Sequence, residues 1–433
     1  MQLTHSIMKK SFSLRWLCIC AILVHVQFFA QENLLPKVQP EAAGMSNSRL
    51  AYIDTMALEA LAEKQVPGMV ALVARNGKIV YHKAFGAANA QGEALDSNSI
   101  FRIASQTKAI TSTAVMILWE RGKFQLDDPI SKYIPEFKDA QVLDSLLPDG
   151  SYTTHPAVRP ITIRHLLTHT SGIGYGQIDG DPRFKKIYDA AGVTDLFTTE
   201  KITIEESVKK LAKLPLHHNP GDNFTYSEGL DVLGYFIEII SGKPLDEFFR
   251  KEIFEPLAMH NTYFYLPKEK QDLLVAVQTK EGEKWIDFPT TFYDPDYPKK
   301  GKMTFFSGGA GLSSTPLDYA QFLQMYLNKG TFNGNRILSR TTVDFILSNQ
   351  IGEIWKGNGS HHGLAFSVVD DLGAAKGGKG SAGTFEWGGY FNTQYFADPE
   401  EQLIGIIMKQ TQKVGGDETG WKFRNIVLSA IAD

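Results

Sequence analysis

Ser105 and Lys108, three residues apart, are the pair in this sequence best placed to do covalent chemistry. On a helix that spacing puts them on one face, one turn apart. A serine hydroxyl is a weak nucleophile until a neighbouring base takes its proton. A lysine in a largely apolar site loses solvation of its charged form, which lowers its pKa and lets it serve as that base. A helix N-terminus adds free backbone N–H groups with partial positive charge, the donors an oxyanion needs. The spacing alone is common, because Ser6–Lys9 and Ser207–Lys210 share it. The first of these lies in an N-terminal targeting segment, the second in the charged helical run KITIEESVKKLAKL.

Ser105 has a different setting, FRIASQTKAITSTAVMILWERGK. Phe101 to Ala104 has strand character. From Ser105 the pattern reads as a helix of about five turns, stopped by Gly122 at a C′ position. Ala109, Ile110, Ala114, Val115, Met116, Ile117, Leu118 and Trp119 put apolar groups on nearly every face, so this helix belongs inside the protein. Its first turn, Ser105 to Lys108, is the polar exception.

With these flanks, FRIAS-x-TK-x-IT resembles the serine β-lactamase and penicillin-binding protein superfamily, whose first motif is Ser-x-x-Lys. It is most similar to the class C branch and its relatives, the family VIII carboxylesterases and D,D-peptidases. Two further segments extend the resemblance in the right order. The run from Pro220 to Ser227, PGDNFTYS, followed by EGLDVLGYFIEIISGKP, is similar to the second motif, Tyr-x-Asn. The resemblance implies that Tyr226 lies over the nucleophile and shuttles its proton with Lys108. An adjacent ammonium would favour the phenolate. Glu228 stands where β-lactamases carry Asn. An amide donates and accepts, whereas a carboxylate only accepts, so this substrate-binding position departs from β-lactam recognition. The other reading of Glu228 is a solvated acid in a first helical turn, favoured by the dipole. Trp387-Gly388-Gly389 resembles the Trp-Gly-Gly of family VIII esterases, at the place of Lys-Thr-Gly or His-x-Gly. This implies an edge strand beside the nucleophile, with glycines that let substrate lie against the backbone. It also implies an oxyanion hole made by the N–H groups of Ser105 and Tyr390. A lysine there would attract a substrate carboxylate; Trp387 offers an apolar wall and an indole N–H. Lys379-Gly380-Ser381, in the loop-like AAKGGKGSAG, is a rival for the third motif.

The elements that must position these residues are also legible. Residues 46–64 predict an amphipathic helix with a Ser cap. Two apolar runs flank Arg75-Asn76-Gly77-Lys78, a hairpin signal. The fold class expected from the resemblance is α/β (α+β) and β-lactamase/transpeptidase-like: an antiparallel sheet flanked by helices, plus a mostly helical lobe. The sheet lobe is expected over about 31–123 and 306–433, the helical lobe over about 124–305. In the latter, ITIRHLLTHTSGIGYG reads as a short helix and a glycine-rich turn that resembles a landmark of this branch. His165 and His169 are four apart, but no further ligand stands at a useful spacing and HExxH is absent. A packed structural role is therefore assigned to His169. His217-His218 and His361-His362 read as loop residues. SGGAGLSST, residues 307–315, reads as a return to the sheet lobe, followed by an amphipathic helix with Pro316 at its start. Residues 383–410 read as two strand-like runs around a turn at Asp398-Pro399-Glu400-Glu401, and ETGWKFRNIVLSAIAD as a closing amphipathic helix.

The chain has 433 residues with 43% hydrophobic and 21% charged, an ordinary globular profile. It has no basic tract, which argues against nucleic acid as a partner. Residues 1–30 read as a signal peptide: Lys9, Lys10 and Arg15 precede the apolar WLCICAILVHVQFFA, with cleavage expected after Ala30. An uncleaved anchor is the alternative. Both cysteines, Cys18 and Cys20, fall inside this segment, so the mature chain would have neither disulfide nor thiol nucleophile. The segment carries three basic and no acidic residues, so its removal takes the formal charge from -4 to -7. There is no GxSxG elbow, which argues against an α/β-hydrolase.

The expected protein is thus a secreted or periplasmic serine hydrolase, working through an acyl-enzyme without metal or organic cofactor. Small acyl esters are the first substrate class and β-lactams or D,D-peptides the second. A non-catalytic sensor with the same fold is the alternative of another kind. The expected partner is a small acyl substrate, with no stable membrane insertion once the signal is cleaved.

Overall fold

An Asn-Gly turn starts the main sheet. Strands β1 (Gly68–Arg75) and β2 (Lys78–Gly86) form the expected hairpin. Asn76 and Gly77 both take positive φ, 52° and 70°, as a tight hairpin turn requires. The computed structural model describes residues 35–433, so the segment read as a signal peptide lies outside the described residues. Among the described residues no helix is long and apolar enough to cross a membrane.

Five more strands complete the sheet: β3 (Ser360–His362), β4 (Ser367–Val369), β5 (Phe385–Gly389), β6 (Thr393–Asp398) and β7 (Leu403–Met408). Their order is β3-β4-β5-β6-β7-β1-β2, antiparallel throughout. His361 and His362 are therefore in an edge strand and not in a loop. The short run SHH has too few apolar residues to signal a strand alone. Residues 383–410 hold three strands, because a turn at Tyr390–Asn392 divides the first expected run.

Strand β1 is buried along its length, so its side chains serve both faces of the sheet. On one face Met69, Ala71 and Val73 meet Ile53, Met56, Ala57 and Ala60 of helix α1 (Tyr52–Ala62). Phe423 and Val427 of the closing helix α5 (Thr419–Ser429) complete this layer. On the other face Val70, Leu72 and Ala74 belong to a larger core. It includes helix α2 (Thr107–Glu120), helix α3 (Gly229–Ser241) and helix α4 (Pro316–Leu327). The expected helix after Ser105 is α2, buried from Thr107 to Leu118, with Gly122 left-handed just past its end. Helix α4 starts at Pro316 as expected, but it is buried along nearly its whole length and not amphipathic. Its Tyr319 hydroxyl donates to the Gln106 carbonyl and its Tyr326 hydroxyl pairs with Thr113 Oγ1, so α4 braces α2 from the turn before it to its middle.

None of the seven strands comes from residues 124–305. That stretch holds short helices, including Ile163–Leu167, Pro182–Ala191 and Ile204–Leu211, together with α3 and two small hairpins. Ser207, in the third of these helices, is buried and its hydroxyl donates to the Thr194 carbonyl, far from any role as a nucleophile.

Candidate active site

Ser105 sits in a single 3-10 turn, Ala104–Gln106, at the entry to α2. The turn follows a short strand, Phe101–Arg102, paired with Ser313–Ser314 and not with the main sheet. Ala104 takes φ 42°, an uncommon conformation for a residue with a side chain. Such a residue costs about 1–3 kcal/mol and persists only when its surroundings hold it. Here Ile103 N donates to the Leu312 carbonyl and Leu312 N donates to Thr107 Oγ1. Arg102 is buried, and its guanidinium donates to the carbonyls of Pro295 and Val275, each at 2.6 Å.

Lys108 is only 4% exposed. Its Nζ lies 3.3 Å from Ser105 Oγ, 2.9 Å from Tyr175 Oη and 2.8 Å from the Gly309 carbonyl. It also lies over the Tyr226 ring, 4.6 Å from the centroid, a contact of up to about 2 kcal/mol where water is excluded. The Tyr226 hydroxyl itself is buried without a partner. So the serine, the lysine and the tyrosine do converge, but the phenol bonded to Lys108 belongs to Tyr175. Burial and the surrounding phenol and carboxyl groups push the Tyr175 pKa well above its ordinary value, so it stays a neutral phenol.

The expected oxyanion donors are backbone amides. Among the described residues neither Ser105 N nor Tyr390 N donates to another group. The Gln412 side chain donates to the Tyr390 carbonyl and fixes that peptide. β5 is an interior strand by topology, yet β4 pairs only with its Phe385 and Glu386. Trp387 to Gly389 therefore keep a free edge on that side, as an edge strand would. Gly389 has a reason internal to the protein. A Cβ there would come within 2.5 Å of the Ile103 carbonyl oxygen, on the turn that carries Ser105. Gly388 is less confined: a Cβ there would lie 3.2 Å from its nearest neighbour, the Thr393 carbonyl oxygen.

Aromatic rings flank this centre on both sides. Trp387 packs against Tyr226 and His362, and Phe224 against Trp355. On the other side Tyr390 neighbours Phe197, Tyr293 and Phe391, in a cluster that includes Ala104.

Glu228 is 2% exposed, so it is not the solvated first-turn acid that sequence allows. Burial, with Asp195 and Asp231 beside it, pushes its pKa well above the usual carboxylate range. A carboxyl that keeps its proton donates as well as accepts. Burial also raises Asp231, and raises Asp195 to about 6. Asp231 Oδ1 accepts the Gly309 N–H at 3.2 Å, while the Gly309 carbonyl accepts from Lys108.

The Beta-lactamase family profile matches residues 53–428. The chain belongs to the β-lactamase family. It is a serine hydrolase of that family, with the antiparallel sheet and flanking helices expected of the fold. Among its curated relatives, Esterase EstB of Burkholderia gladioli is 31% identical over 400 residues, covering 87% of this chain and 95% of the relative. Lovastatin esterase of Penicillium rubens is 29% identical, covering 79% and 88%. Among solved structures, EstCE1, described as a hydrolase with promiscuous acyltransferase activity, superposes with a TM-score of 0.75 at 27% identity, covering 88% of this chain and 98% of the other.

Within this family member, Tyr175 is the site residue that sequence reasoning missed. Its signal was the glycine-rich turn SGIGYG, where a lone aromatic is held among glycines. His169, in the same segment, is buried beside Tyr226, with Nδ1 3.0 Å from Ser227 Oγ. Burial holds its pKa well below the ordinary value, so it is a neutral packed residue. His165 accepts the Thr162 N–H in a capping box, a structural role of its own. Among the described residues no three potential ligands cluster to hold a metal ion. The rival Lys379 lies elsewhere: its carbonyl accepts from Arg424 of α5, in the layer behind the sheet.

Proposed function

We propose that this protein hydrolyses esters of small acyl groups through an acyl-enzyme on Ser105. The observation that carries the reading is the 3.3 Å contact of Lys108 Nζ with Ser105 Oγ, beside two amides free to donate. Ser105 Oγ attacks the ester carbonyl as Lys108 accepts its proton. The carbonyl oxygen, now negative, takes hydrogen bonds from the N–H groups of Ser105 and Tyr390. Collapse of the tetrahedral intermediate expels the alcohol, which receives the proton through Lys108 and Tyr226. Tyr175 holds the amine in line. Water then attacks the acyl-enzyme, delivers its proton by the same route and releases the acid.

Esters rank before β-lactams because Trp387 offers an aromatic wall where a lysine would anchor a carboxylate. Relatives named as esterases support that order. The raised pKa of Glu228 favours a second reading, β-lactam or D,D-peptide turnover, since a carboxyl that keeps its proton can mimic the amide of Tyr-x-Asn. Secretion by way of residues 1–30, cleaved after Ala30, belongs to the same proposal; N-terminal sequencing of the mature protein tests it.

The deciding experiment is turnover of a short-chain p-nitrophenyl ester and a chromogenic cephalosporin by wild type and Ser105→Ala. Preferential ester cleavage that falls by about 10³-fold or more in the variant is expected. A better rate on the cephalosporin would reverse the substrate order. An active variant would remove Ser105 as nucleophile, and a covalent serine probe that leaves Ser105 unlabelled would turn the reading toward a sensor.

A further inference from the structure

The turn between β5 and β6, residues 390–392, carries the second amide assigned to the oxyanion. A trans peptide is planar, so its N–H and its C=O point in opposite directions. The Gly389 carbonyl accepts the Asn392 N–H at 2.9 Å, closing the turn. The Tyr390 N–H belongs to the same peptide and is therefore aimed the other way, out of the turn. Any rotation of that peptide would carry the donor with it.

Asn392 is the residue that holds the Gly389 carbonyl, and it is itself tied down. Its φ is 71°, in the left-handed region. Its Nδ2 donates to Asp417 Oδ2 at 2.7 Å and to Thr411 Oγ1 at 2.9 Å. Asp417 Oδ2 also accepts from Lys409 Nζ at 2.6 Å. Lys409 follows the last residue of β7, and its side chain is 0% exposed. Its Nζ donates further to Thr419 Oγ1 at 2.8 Å, at the start of α5. The Phe391 carbonyl accepts the Thr411 N–H at 3.1 Å, and the Tyr390 carbonyl accepts from the Gln412 side chain. All three carbonyls from Gly389 to Phe391 thus have donors. A buried ion pair adds little stability over apolar residues of the same volume. What this one does is fix the Asp417 carboxylate, and with it the Asn392 amide, in one direction.

We infer that the chain Lys409–Asp417–Asn392 aims the Tyr390 N–H at the reacting carbonyl oxygen. The inference rests on the reading of that N–H as an oxyanion donor. None of the three touches the substrate: they are positioning residues, acting through the turn. Their effect belongs to the tetrahedral intermediate, where the oxygen carries its charge, and not to the bound ester.

The test compares wild type with Asn392→Gly and Asp417→Asn on a short-chain p-nitrophenyl ester. Glycine keeps the left-handed backbone and cuts the tether. Asparagine keeps the shape of Asp417 and removes the charge that holds Lys409. Rates are taken per active site, counted with a covalent serine probe. kcat should fall by about ten- to a hundredfold, less than the loss of a whole oxyanion donor, with KM close to wild type. Phenylboronic acid, which adds to Ser105 as a tetrahedral anion, should bind more weakly by a similar factor. Either variant carries the test if the other does not fold. A role in stability alone would lower the melting temperature and leave kcat per site and boronate affinity as in wild type. That result would overturn the inference, as would a loss confined to KM. Tyr390→Pro deletes the N–H itself, and wild-type kcat there would remove the donor on which the inference rests. An active Ser105→Ala would instead overturn the nucleophile, whatever the turn variants do.

Discussion

The two layers that cover the main sheet obey different rules. Behind it, α1 and α5 meet β1 and β7 through Ile53, Met56, Met69, Val73, Ile407 and Val427, and the buried cations of this layer, Arg75 and Lys409, sit at the strand ends, paired with Glu401 and Asp433 and with Asp417. In front, the core built on α2 and α4 carries Arg102, Gln106, Lys108, Glu228, Asp231 and Gln410, all buried. Apolar burial asks only for volume and shape. Buried charges ask for partners in fixed directions, and removing one partner exposes the others to an uncompensated environment. Away from those strand ends, one layer is thus a matter of stability, and the other ties stability to chemistry.

Lys108→Ala should break the front layer most severely. It removes the base, so kcat should fall by about 10³-fold or more. It also leaves the buried Gly309 carbonyl and Tyr175 hydroxyl without the amine that donates to them, so melting temperature should drop in the same sample. Ile53→Ala is the matching cut behind the sheet. It should cost about 2–5 kcal/mol in denaturant titration and leave kcat on the ester close to wild type. A large loss of kcat there would mean that the two layers are not separable.

His362→Gln probes the front layer through pH. Burial lowers the His362 pKa from 6.5 to about 4, so the folded protein keeps it neutral while the unfolded chain takes the proton. Stability is therefore lost as pH falls from about 6.5 toward about 4. Between pH 7 and pH 5 this amounts to about 2 kcal/mol. The variant should lack that share of the slope when unfolding curves at the two values are compared. Trp387→Lys is the mildest change. A cation at the free edge of β5 should raise β-lactam turnover relative to ester turnover by about tenfold, the worth of one charge-assisted hydrogen bond. An unchanged ratio would detach Trp387 from substrate choice.

The back layer was almost wholly legible from sequence, because period, caps and the Asn-Gly turn report local structure that packing then uses. That Ser105, Lys108, Tyr226 and Trp387 lie together was legible for another reason: Ser105 and Lys108 share a helix-turn spacing, and the family resemblance links their segment to those of Tyr226 and Trp387. Tyr175 was not, since its partner Lys108 lies 67 residues away. The burial of Glu228 was not legible either. Burial, with Asp195 and Asp231 beside it, raises its pKa, and both the burial and Asp195 come only with the folded chain. His362 was misplaced because three residues are too few to show a strand's alternation. In each case the missing information was a long-range neighbour.

Strand β1 also bears on how the protein is made. Its hairpin partner β2 follows immediately, but its other neighbour, β7, lies near the end of the described chain, with Leu72 opposite Ile406. During synthesis the hairpin is finished long before β7 leaves the ribosome. Until then GMVALVAR presents one edge of unpaired backbone groups between two apolar faces, a template for pairing with other chains. The nascent protein should therefore depend on chaperones through most of its translation, and truncation before Leu403 should yield aggregates in place of a smaller folded form.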